Sequence, residues 1–163
     1  MDKTELLNRM IAWDQGDPRR IQHALKVYQF ASLIGRMEGL PGDVQDVLEI
    51  AAILHDIGIH AAEKKYGSTA GKYQEQEGGP VAEQILHELG IGAGIIERVR
   101  FLVEHHHTYT GVDGMDYQIL LEADFLVNAY EDELSPAALR SFRDNVFRTE
   151  SGRKLLQQIY GIA

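Results

Sequence analysis

AAILHDIG, residues 51–58, is an apolar run that ends in two ligand-type side chains, His55 and Asp56, and then a helix-breaking glycine. Buried charge is costly unless it is paired or bound to a metal. Taken alone, the dipeptide fits a capped helix end with a neutral core histidine, because a two-residue motif recurs by chance. The pattern around it changes that reading.

Outward from this stretch the pattern is helical. Asp43 can cap a helix through Leu54, with Val44, Val47, Leu48, Ile50 and Ala51 turned inward. Upstream, Asp17-Pro18 reads as an N-cap and first helical residue for a helix to about Met37, and His23 lies within its apolar stripe. A shorter amphipathic helix precedes it over Thr4–Trp13. Downstream, Ile59–Gln74 reads as an irregular, functional or mobile loop. Gly78-Gly79-Pro80 reads as the start of a helix to Leu89, followed by helices from Ile95 to about His106 and from Tyr117 to Glu131. The helix from Tyr117 is apolar on most faces and should be central. Ser135-Pro136 starts a helix to Phe147, and Gly152–Tyr160 a last short one. No alternating strand pattern and no internal repeat is present. The expectation is an all-α bundle of about six or seven helices in one domain.

The 163 residues are 44% hydrophobic and 25% charged, the balance of an ordinary globular domain. No cysteine is present, which removes disulfides, thiolate zinc sites and thiol nucleophiles. That fits a reducing, cytoplasmic setting, as does an N-terminal stretch with no secretory apolar core. No apolar run approaches the ~20 residues of a membrane span. A net charge of −9 argues against general nucleic-acid binding, so an anionic substrate must be met locally, by a metal or a few Lys and Arg. A homo-oligomer is compatible with the sequence.

Four ligand-type residues fall inside apolar stripes at three places: His23, the pair His55-Asp56, and Asp124 in ILLEADFLVN. Two imidazoles and two carboxylates form an N₂O₂ set suited to Zn²⁺, Fe²⁺ or Mn²⁺. RRIQHALKVYQFA, AAILHDIG and ILLEADFLVN, in the order H…HD…D, resemble the HD-domain superfamily of metal-dependent phosphohydrolases over roughly Pro18–Asn128.

The resemblance implies that His23, His55, Asp56 and Asp124 hold one divalent ion, with Mn, Fe, Co, Ni, Zn and Mg all open as its identity. It implies that an ionised Asp56 orients or deprotonates the attacking water. A small phosphorylated compound, nucleotide or other phosphoester, is the implied substrate. His106 faces inward by its spacing from Val99, Leu102 and Val103, while His105 and His107 should point elsewhere. His106 can ligate a second ion, hold a phosphoryl oxygen or protonate the leaving group, or it can be a core residue. Members of the superfamily often carry a histidine where this chain has KYQEQEGG, residues 72–79, which leaves Glu75 and Glu77 as substitute oxygen ligands and puts a full second site in question. Two alternatives stay open: an HD-fold diiron oxygenase, which needs about six ligands, and a metal-binding regulatory module without turnover. His60 can line the cleft, His87 reads as structural, and Glu122 as solvent-facing or as support for a ligand. Arg19, Arg20, Lys64, Lys65 and Lys72 are available to a phosphate.

Overall fold

The computed structural model describes all residues, Met1–Ala163, and every regular element is a helix. There are nine: α1 (Thr4–Trp13), α2 (Pro18–Met37), α3 (Gly42–Leu54), α4 (Ile59–Tyr66), α5 (Gly71–Glu88), α6 (Ala93–His105), α7 (Met115–Glu131), α8 (Pro136–Asn145) and α9 (Glu150–Tyr160). The all-helical class is as expected, but the count exceeds the expected six or seven.

Several boundaries follow local capping chemistry. Asp17 accepts a hydrogen bond from the Arg20 N–H at 3.1 Å, with Pro18 at the first helical position. Ser135 and Thr149 cap α8 and α9 through the N–H groups of Ala138 and Gly152. Asp43 does not cap α3: Pro41 holds the cap position, and Asp43 falls in the first turn.

The main correction lies between residues 59 and 88. The stretch read as an irregular loop forms α4 and the first turns of α5, and Gly78-Gly79-Pro80 sits inside α5 rather than at its start. Glycine and proline weaken an isolated helix, but here a close crossing requires the glycines. A Cβ on Gly58 would stand 2.5 Å from the Gly78 nitrogen and 2.6 Å from the Gln74 carbonyl oxygen. A Cβ on Gly78 would lie 2.8 Å from a Val103 methyl. The turn after Asp56 and the middle of α5 thus meet backbone to backbone, and tertiary packing overrides local propensity.

One core of 34 buried hydrophobic residues runs through the bundle. α7 is buried almost all round, from Asp116 to Val127. α2 packs on α3 and α7, α3 also meets α6 and α7, and α5 lies along α6. This arrangement brings the C-terminal ends of α3 and α6 to the second turn of α2 and the middle of α7, where the ligand-type residues lie. No helix is long and apolar enough to cross a membrane.

Candidate metal centre

His55 is the C-cap of α3 and His106 the C-cap of α6. The last carbonyls of a helix have no partner within the helix. Each of these histidines donates its Nδ1–H to the carbonyl three residues back, Ala52 for His55 and Val103 for His106, at 2.7 Å in both cases. An acceptor-only partner puts the proton on Nδ1 and leaves Nε2 as the free lone pair. His23, in the second turn of α2, does the same with a side-chain acceptor: its Nδ1 lies 2.7 Å from Glu131 Oε1.

The freed nitrogens converge. His23 Nε2 is 3.1 Å from His55 Nε2 and 3.1 Å from Asp124 Oδ1. His55 Nε2 is 3.4 Å from Asp124 Oδ1, and Asp56 Oδ2 is 3.3 Å from His23 Nε2 and 3.5 Å from His55 Nε2. With both Nδ1–H groups committed, the two imidazoles can hydrogen-bond to each other through Nε2 only if one of them carries a proton there as well. A cation satisfies both lone pairs and both carboxylates at once. Bonds of about 2.1 Å put neighbouring ligand atoms about 3.0 Å apart in an octahedron and about 3.4 Å in a tetrahedron, which spans the spacings seen. The four residues predicted from the sequence are therefore brought together, and their donor set fits a divalent ion.

The electrostatics agree. His55, His23, Asp56 and Asp124 are all buried or nearly so. Burial opposes charge on His55, yet the Asp56 and Asp124 carboxylates override it and raise its pKa well above the ordinary value. Burial likewise opposes charge on Asp56, and the His55 and His106 imidazoles hold it well below the carboxylate range. Asp124 is lowered against its own burial by the adjoining His23 and His55 imidazoles. The cluster favours carboxylates that stay ionised around a positive charge.

A second group adjoins the first. His106 Nε2 is buried, has no hydrogen-bond partner, and lies 3.3 Å from Asp56 Oδ1, the oxygen not turned to His23 and His55. One ligand atom each from Asp56, His106 and His107 lies within 4.8 Å of the others. His107, expected to point away, instead lies beside His106, the rings tilted at 44° with centroids 3.9 Å apart. His105 does point elsewhere, donating to the Phe101 carbonyl and stacking on that ring.

Other sequence candidates are placed outside the donor sets. Glu75 accepts the His107 N–H at 2.9 Å, and Glu77 is held by Lys65 and the Tyr66 hydroxyl, so neither lies among the converging atoms. His60 sits between Asp14 and Asp17, 3.4 and 3.3 Å away. His87 is exposed at 3.6 Å from Glu83. Lys72 lies over the Tyr73 ring and Arg19 reaches toward Glu131 and Asp132, while Arg20 Nη1 comes to 3.5 Å from Asp56 Oδ2. Glu122 neither faces solvent nor supports a ligand. It is fully buried and accepts from Gln118, Thr149 and the Arg148 and Thr149 N–H groups, tying α7 to the turn before α9.

Glu131 was not singled out by sequence reasoning. Its signal is its spacing: seven residues past Asp124 on one helix, it returns to the same face two turns on. His107 had no such signal within a run of three histidines.

Comparison with known proteins gives two findings. Residues 20–138 match the family described as HD domain. The crystal structure of a predicted HD superfamily hydrolase from an uncultured Thermotogales bacterium superposes with a TM-score of 0.69 at 26% identity, over 99% of this chain and 92% of that one. No curated protein matches the chain.

Proposed function

This chain belongs to the HD domain family, and from that premise we propose that it is a metal-dependent phosphohydrolase acting on a small phosphoester. The observation that carries the reading is the convergence of His23, His55, Asp56 and Asp124 at spacings of 3.1 to 3.5 Å, with every histidine Nδ1 committed elsewhere. These four would hold one divalent ion, and Asp56, His106 and His107 would hold a second. When bound, such ions polarise a phosphoryl oxygen and lower the pKa of a water.

The chain's own groups do the rest. Asp56 keeps its charge inside the protein and turns one oxygen to each cluster, so it orients the attacking water between them. Glu131 and the Ala52 and Val103 carbonyls fix the three imidazoles so that Nε2, not Nδ1, faces the centre. Arg20, at the first turn of α2 and one-third exposed, supplies a guanidinium beside Asp56 for a non-bridging phosphoryl oxygen.

The test is metal analysis of protein purified without added metal, then a phosphoester panel with Mn²⁺, Co²⁺, Ni²⁺, Fe²⁺ and Zn²⁺ in turn. Turnover abolished by chelation, and metal content lost in His55→Ala and Asp124→Ala, are the expected results. No turnover with any ion rejects the phosphohydrolase reading.

One observation favours a second reading. With His107 drawn in, six residues surround the centre, the number a diiron oxygenase requires. Oxygen uptake by the reduced iron form, without phosphoester turnover, selects it.

A further inference from the structure

Gln74 is an amide buried to all but 7% at the start of α5, in the KYQEQEGG segment that lacks the superfamily's histidine. Its two ends have unequal partners. Nε2 donates to the Thr69 carbonyl at 2.5 Å, and a carbonyl only accepts, so the amide orientation is fixed. Oε1 then faces His107 Nε2 at 3.0 Å. An amide oxygen also only accepts, so the proton of a neutral His107 sits on Nε2 and its lone pair on Nδ1. The ring sits against Gly71, where a Cβ would lie 3.0 Å from its Cγ, and beside the tilted His106 ring, with centroids 3.9 Å apart. The main chain is pinned as well, by the His107 N–H to Glu75 Oε1 at 2.9 Å.

We propose that Gln74 is the positioning residue for His107, presenting Nδ1 of that ring to a divalent ion shared with Asp56 Oδ1 and His106 Nε2. This rests on the two-ion reading above. It explains why the segment carries no histidine of its own: α5 supplies the support for a ligand on the neighbouring helix end instead of a ligand. The pattern repeats the one at His23, His55 and His106, where one ring nitrogen donates to a fixed acceptor and the other is left for the centre.

The experiment uses the full chain with Co²⁺ as the probe. Titration followed by visible absorption counts the ions and gives an affinity for each. Long-range ¹H–¹⁵N correlation on the metal-free protein reads which His107 nitrogen bears the proton. The parent should bind two Co²⁺ and show a protected Nε2–H on His107. Gln74→Leu should weaken the second ion by about 10- to 100-fold, leave the first unchanged, and lose that protected proton. Gln74→Glu, which keeps an acceptor, should hold the second affinity within about threefold. If Gln74→Leu does not fold, the parent's tautomer and Gln74→Glu decide. A His107 proton on Nδ1, a second-ion affinity in Gln74→Leu equal to the parent's, or its loss in folded Gln74→Glu overturns the proposal while a two-ion parent stands. A parent that binds a single Co²⁺ removes the two-ion reading and the proposal with it.

Discussion

His55 and His106 occupy the same local position, the C-caps of α3 and α6, and make the same 2.7 Å bond to the carbonyl three residues back. What meets the other nitrogen differs. His55 Nε2 faces His23, Asp56 and Asp124, whereas His106 Nε2 has Asp56 Oδ1 at 3.3 Å and no hydrogen-bond partner. A helix C-terminus is thus a general way to aim an imidazole, and the surrounding helices decide what is done with it. The first cluster draws on α2, α3, α7 and the turn after α3. The second draws on that same turn and on one helix end, with support from α5.

Asp56 is the residue the two clusters share, and Asp56→Ala should have the largest effect. Activity should fall by more than about a thousandfold, and both ions should be lost. The parent should gain about 2.7 kcal/mol of stability at an ion concentration 100 times its Kd, and the variant none, as melting with and without Mn²⁺ would read. A variant that retains either ion tightly would show that the clusters do not share this carboxylate.

His106→Ala separates them. The first ion should stay and the second leave, with turnover lower by about a hundredfold. His107→Ala should behave likewise, whereas His105→Ala should be mild, since His105 stacks on Phe101 away from the centre. Sensitivity at His105 would place the helix phase differently. Glu131→Gln sharpens the comparison from the other side, weakening only the first ion by about 10- to 100-fold because His23 loses its charged acceptor. Isothermal titration with Mn²⁺ separates these outcomes.

The smallest effect is expected at Asp14, where carboxylates and an imidazole meet without converging on an ion. Burial, partly offset by His60, pushes its pKa up to about 6 from 3.8. A raised acid contributes stability below its unfolded value and loses it as pH rises through its folded value. The parent should therefore weaken between about pH 4 and pH 7 at this position. Asp14→Asn should match the parent near pH 4 and exceed it by about 1 kcal/mol at pH 7.5, in urea midpoints taken at both pH values.

The first cluster was legible in the sequence because its residues interrupt apolar stripes: His23 follows Ile21, and Asp124 lies between Leu121 and Leu126. A polar residue inside a stripe needs a reason, and four of them share one. The second cluster was only half legible. His106 falls on the apolar phase of α6, but His107 lies past the helix end, where no period constrains it. The helical nature of residues 59–66 and 71–79 was hidden because Gly78, Gly79 and Pro80 look like punctuation, and only the crossing with Gly58 shows why they are tolerated. Glu122 was misread for a related reason: its partners, Thr149 and the Arg148 N–H, are about 26 residues away along the chain.

That crossing has a mechanical meaning. Gly58 comes two residues after Asp56, and the atoms a methyl there would strike include the carbonyl of Gln74, the residue bonded to His107. The separation between the two clusters is therefore gauged by main chain resting on main chain, with no side chain in between to change rotamer. Such a spacer has the stiffness of the helices themselves, and it varies only if α5 slides or tilts as a body. A single methyl at residue 58 would act as a shim, shifting the register of one cluster against the other without touching a donor atom in either.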